Sequence, residues 1–168
     1  FNETIRSRTG MIQDVASFPD AMKGTRVKDA ARGSLRFISS RRYFHEDGTR
    51  AGDAFFREME TLMNLDAVPE EVPVRLGIVT GYTDQRILPT DRELYSSMKS
   101  TDIDRLQNSA YDIGTPLAVL HATGDGSWLY TITPLSEGWI KAADVGYCTR
   151  EQMVHYLNAE PFAVTTEA

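Results

Sequence analysis

Thr123-Gly124-Asp125-Gly126-Ser127-Trp128-Leu129-Tyr130-Thr131-Ile132-Thr133, followed by Gly138-Trp139-Ile140-Lys141, is the stretch whose reading decides the fold. Gly124-Asp125-Gly126 favours the positive φ angles of a tight hairpin turn, and the β-branched and aromatic run 128–133 after it has strand character. The apolar run 117–122 before the turn supplies the partner strand, and residues 133–138 form a second turn leading to a short strand over 138–141. Further upstream, Val74, Leu76 and Ile78 alternate as in a half-buried strand. At the far end, residues 152–157 predict a helical turn and 162–166 a strand.

The first part of the chain has a different period. Ile5, Ile12 and Val15 share a helical face within residues 1–22, with Asn2 as a cap and Pro19 as a stop. Residues 25–39 predict a second helix with Val27, Ala31, Leu35 and Ile38 on one stripe, weakened by Gly33. A polar loop over 39–52 leads to the clearest helix, 53–64, in which Phe55, Phe56, Met59, Leu62 and Met63 recur at helical spacing. Residues 67–73, with Pro69 and Pro73, read as a short stiff linker. Only one helix is expected beyond it, over 101–110, with Ile103 and Leu106 as its apolar face. Helices first and strands afterwards give an α+β class rather than alternating βαβ units.

Composition narrows the function classes. The 168 residues carry 24 acidic and 18 basic side chains, a formal charge of −6, and the pI is about 5.1. That balance lacks the basic footprint of a general nucleic-acid binder. No apolar run approaches the roughly 18 to 20 residues of a transmembrane helix. The one cysteine, Cys148, has no internal disulfide partner and cannot found a zinc site of several thiolates. The histidines lack ligand spacing and the acids are dispersed, so neither a metal nor a cofactor is expected. The chain opens at Phe1 with a helix-like pattern already under way and is read as a processed or trimmed piece.

Trp128-Leu129-Tyr130, a turn, and Gly138-Trp139-Ile140-Lys141-Ala142-Ala143-Asp144-Val145 resemble the ending of Src-homology-3 (SH3) barrels. More specific is the order Thr83-Asp84-Gln85-Arg86-Ile87-Leu88-Pro89-Thr90, Asp102-Ile103-Asp104-Arg105-Leu106-Gln107 and Gly114-Thr115-Pro116-Leu117-Ala118-Val119-Leu120-His121. It resembles the first bacterial SH3-like domain of multi-domain NlpC-type cell-wall cysteine peptidases. Phe1-Asn2, Phe18-Pro19, Met22 and Gly24 are similar to the N-terminal stabilising segment before that domain. The resemblance implies a helical segment over 1–71 packed on a small SH3-like β-barrel over 72–159, with 160–168 opening a second SH3-like domain. It implies a cell-envelope protein, periplasmic or secreted, whose full-length form cleaves peptidoglycan stem peptides between D-glutamate and the diamino acid.

The family's nucleophile lies in an Asp-Cys-Ser-Gly motif, whereas Cys148 lies in Gly146-Tyr147-Cys148-Thr149-Arg150, so no catalytic residue is carried over. The chain is expected to be a non-catalytic accessory module. Its partners would be stem peptides, the peptidase domain and the second SH3-like domain. A free-standing SH3-like adapter for extended peptides is the rival. Cys148 could meet His45, His121 or His155 in space as a thiolate and base pair, or be a small hydrophobe after the last strand.

Ligand-binding candidates are Tyr82, Arg86, Tyr95, Trp128 and Trp139, with Tyr130 on the face of Trp128. The alternative for these rings is core filling or shielding of an edge, and for Trp128 and Trp139 the two readings weigh about equally. Arg86 could meet a ligand carboxylate or make an internal ion pair with Asp84 or Asp91. Residues 82–100 stand where SH3 barrels carry the RT loop between their first strands, and the resemblance implies that this loop faces the peptidase domain.

Overall fold

The computed structural model describes residues 13–99 and 101–160. Residues 1–12 of the helix expected within 1–22, the strand over 162–166 and residues 161–168 of the expected second domain lie outside the described residues. From residue 13 onward the expected helix is not formed, and the first element is a 3₁₀ turn, Val15–Ser17. The Asp14 side chain accepts the Ala16 N–H at 3.1 Å to begin it. Phe18, extended as a residue before proline must be, ends it.

Strand β1 (Ala21–Lys23) follows, then α1 (Gly24–Ser39) and α2 (Asp53–Met63). The predicted stripe holds on α1, where Val27, Ala31, Leu35 and Ile38 are all buried. On α2 the buried positions are Phe55, Met59 and Met63, four residues apart. Asn64 ends α2 in the left-handed region at φ 48°. The expected linker contains a strand, β2 (Glu71–Pro73), because Met22 and Val72 pair and bury Val72 between the helices and the sheet.

Seven antiparallel strands build the main sheet: β3 (Arg75–Val79), β4 (Thr83–Arg86), β5 (Gln107–Tyr111), β6 (Pro116–Ala122), β7 (Trp128–Ile132), β8 (Glu137–Lys141) and β9 (Val145–Tyr147). The strand order is β5-β4-β8-β7-β6-β3-β9, and no ladder joins the two edges among the described residues. The sheet is therefore SH3-like but not hydrogen-bonded into a closed barrel. It still wraps a common core, since Val79 of β3 and Tyr111 of β5 belong to one cluster with Leu117, Val119, Leu129 and Ile140. The β6–β7 turn has Gly126 at φ 72°, as the hairpin reading requires. Asp125 caps that turn by accepting from Thr123 and Ser127, which holds its carboxyl at about 2. Gly138 is needed where β8 meets β4, because a Cβ there would lie 2.6 Å from the Arg86 carbonyl oxygen.

Period two sorts the side chains of β7 and β8. Leu129 and Ile140 point into the sheet's inner core, while Trp128, Tyr130, Ile132 and Trp139 join α1 and α2 in one larger core. The helices therefore cover the aromatic face of the sheet. His121 reinforces the contact, its Nε2 lying 2.9 Å from the Met63 carbonyl oxygen. The final helix, α3 (Arg150–Leu157), starts with a capping box between Thr149 and Gln152 and buries Met153 against Val15, Leu76 and Ala118.

The helix expected over 101–110 is absent. Residues 107–111 are β5, paired with β4, and Ile103 is exposed. The Asp104 carboxylate takes the backbone N–H groups of Leu94 at 3.0 Å and Leu106 at 2.9 Å. The bond from Leu94 and the local turn closed by Leu106 outweigh the weak helical preference of a two-residue apolar face.

Candidate ligand groove

The long β4–β5 connection is braced from within. Arg86, at the end of β4, donates from Nε to the Thr90 carbonyl at 3.0 Å and from Nη2 to the Arg92 carbonyl at 2.9 Å. Its Nη1 pairs with Asp104, and both side chains are only 7% exposed. Arg86 is thus an internal ion pair, with Asp104 rather than Asp84 or Asp91 as its partner. Its donors are turned into the loop and away from solvent.

A groove lies between the base of this connection and the β7–β8 hairpin, lined by Tyr82, Thr83, Asp84, Arg86, Asp91, Trp128, Lys141 and Asp144. Tyr82, just before β4, is 67% exposed and offers a free ring face. Trp128 and Lys141 are cross-strand partners, and the Lys141 ammonium stands 5.8 Å from the indole centroid and 2.8 Å from Asp91 Oδ1. Asp144 is fixed by the Thr83 hydroxyl, which donates to it at 2.7 Å. Asp84 accepts from Gln107 Nε2 at 2.9 Å. An exposed ring, one ammonium and several carboxylates can hold an extended, charged peptide by stacking and charge-assisted hydrogen bonds.

Of the sequence candidates, Tyr82, Arg86 and Trp128 line this groove, but Trp128 and Arg86 are each 6% exposed and belong to its floor, and only Tyr82 opens to solvent. Trp139 does not line it, being fully buried between sheet and helices with its indole N–H unpartnered. Tyr130 is buried beside it, the ring centroids 5.2 Å apart, and burial raises its phenol pKa. Tyr95 is buried too. Its backbone pairs with Phe44 of the loop between α1 and α2 at 2.9 Å in both directions, and its phenol, bonded to Glu93, is pushed up to about 12. Lys141, Asp91 and Asp144 were missed as groove residues. The pairing of Lys141 with Trp128 was within reach, since it follows from the register of a hairpin already recognised.

Residues 93–141 match the family model described as SH3 domain, SH3b1 type. This stretch is similar to SH3 domains of that type. Its match takes in β5 to β8 and most of the β4–β5 connection, including Asp104 and the groove residues Trp128 and Lys141. None of the curated proteins compared matches the chain. A solved structure described as a novel NlpC/P60 endopeptidase from Photobacterium damselae subsp. piscicida has the same fold at 17% identity and a TM-score of 0.73. The likeness covers 92% of this chain but only 37% of the other, so the fold of the helices and the sheet together is similar in both while this chain spans little more than a third of that protein.

Cys148 stands outside the groove, half-buried beside the small core that holds Leu76 and Met153. Burial raises its thiol pKa, the wrong direction for a nucleophile. No hydrogen bond joins it to a histidine among the described residues: His121 meets the Met63 carbonyl, His45 packs edge-on against Phe55, and His155 is exposed on α3. Cys148→Ala is accordingly expected to cost no more than about 1 to 2 kcal/mol in a denaturant titration. Alkylation of Cys148 by iodoacetamide at pH 8 should be slower than that of free cysteine; a faster reaction would reveal an activated thiol. No cluster of three or more His, Cys, Asp and Glu among the described residues could hold a metal ion.

Proposed function

We propose that the chain is the non-catalytic accessory part of a bacterial peptidoglycan hydrolase of the NlpC type, working in the cell envelope, periplasmic or secreted. The observation that carries this reading is the groove of Tyr82, Trp128 and Lys141 on an SH3-like fold that resembles, over 92% of the chain, that of an NlpC/P60 endopeptidase. In this role the helical segment over 1–71 stiffens the SH3 domain over 72–159, and the polypeptide continues from about residue 160 into a second SH3-like domain and a peptidase. The groove holds a wall stem peptide for that peptidase. Tyr82 stacks on the peptide, and Lys141 supplies the cation for its carboxylates, because Arg86 is already satisfied inside the loop.

The test uses the full-length gene product and a soluble wall tetrapeptide. Tyr82→Ala and Lys141→Ala are each expected to raise KM roughly tenfold to a hundredfold, the loss of one contact of about 1 to 3 kcal/mol, with kcat little changed. Unchanged KM in both variants would remove the groove from substrate binding. A reading frame that closes without an Asp-Cys-Ser-Gly-bearing domain would favour the free-standing peptide adapter.

A further inference from the structure

A second concavity lies at the other end of the strand order from the peptide groove, where β9 and the start of α3 face the β2–β3 junction. It is lined by Asp20, Arg75, Leu76, Tyr147, Cys148, Arg150 and their neighbours. Its charge sets it apart. The peptide groove sets Asp84, Asp91 and Asp144 against Lys141 and an Arg86 already neutralised by Asp104. The groove beside His45 sets Glu46, Asp47, Asp91 and Glu93 against Arg92 alone. Here two arginines face one aspartate, in a chain of net charge −6.

We propose that this cleft binds an oxyanion, the phosphate or carboxylate of an anionic envelope polymer, between Arg75 and Arg150. The Arg75 guanidinium lies over the exposed Tyr147 ring, 3.7 Å from its centroid. No acidic side chain among the described residues forms an ion pair with it. A stacked guanidinium without a counter-ion keeps its planar fork of N–H donors free and already oriented, which is how arginine meets a two-oxygen acceptor. Across the cleft Arg150 is anchored by the Ala16 carbonyl and bonds Asp20 Oδ1 at 2.9 Å. The Asp20 side chain is 96% exposed, so a carboxylate reaches this guanidinium from the solvent side, and Asp20 can swing out when a ligand takes its place.

The local backbone agrees. The Thr149–Gln152 capping box satisfies two N–H groups reciprocally, while those of Arg150 and Glu151 have no acceptor within the first turn of α3. Cys148 lines the cleft, but its raised pKa keeps it a neutral bystander and no covalent step is involved.

The experiment is a backbone-amide NMR titration of this chain with inorganic phosphate, and separately with glutarate, each against sodium chloride at matched ionic strength. Saturable shifts are expected at Thr149, Arg150 and Glu151 with either anion. Arg75→Gln and Tyr147→Leu should each weaken binding about tenfold, a loss of one charge-assisted contact. Arg32→Gln, on the outer face of α1, should leave it unchanged. Tighter binding of phosphate would assign the cleft to a phosphate-bearing polymer, and tighter binding of glutarate to the carboxylates of wall peptides. Shifts no larger than those in chloride, or affinity retained in both Arg75→Gln and Tyr147→Leu, would overturn the proposal.

Discussion

Replacing Arg86 by alanine is expected to destabilise the fold by about 3 to 5 kcal/mol, the cost of leaving one partner of a buried ion pair alone. The substitution removes the bonds to the Thr90 and Arg92 carbonyls and strands Asp104, which stays 7% exposed and tied to the amides of Leu94 and Leu106. The effect should show as a lower urea midpoint with a nearly unchanged slope. Because Asp91 lies on the loop that Arg86 braces and meets Lys141 across the groove, peptide binding should weaken as well. Arg86→Lys should recover little of the loss, since an ammonium cannot span three acceptors held in a planar fork. A change below about 1 kcal/mol would place the pair in the class of solvated surface bridges.

Met63→Ala is expected to cost about 2 to 5 kcal/mol and to lower the melting of helices and sheet together. Met63 is fully buried at the end of α2 in the core that also contains Leu120, Tyr130 and Trp139. Its carbonyl oxygen meets His121 on β6. With one core shared across the two halves, circular dichroism at 222 nm and tryptophan fluorescence should report a single transition. Two separate transitions, or a fragment starting at residue 72 that melts as the whole chain does, would show that the helical part merely leans on the sheet.

Local pattern carried the helices and the hairpins. The stripe from Val27 to Ile38 and the four-residue spacing of Phe55, Met59 and Met63 depend only on which faces are apolar. The Gly124 to Gly126 turn depends on the left-handed conformation at Gly126 and on the Asp125 side chain, both local to the turn. Such signals are complete within a dozen residues. The segment 101–111 was misread because its conformation is chosen by partners far along the chain: Arg86 and the Leu94 amide draw on Asp104, and β4 pairs with β5. The same reason hides β1 and β2, three residues each, which have strand character only because they pair with one another.

The groove divides in a similar way. Aromatic and charged residue types, read one position at a time, identified Tyr82, Arg86 and Trp128 as members of a site, but not which of them faces solvent. Burial is a property of the neighbours. Helices α1 and α2 cover the sheet face that bears Tyr130 and Trp139, Phe44 pairs with Tyr95, and Asp104 occupies Arg86. What the sequence by itself determined is the α+β order, the two amphipathic helices and the hairpin that sets Trp128 opposite Lys141. Only the tertiary structure decided that Tyr82 stays exposed at the groove and that Lys141 faces solvent there in an open pair with Asp91, because exposure is what is left after long-range packing has taken the rest.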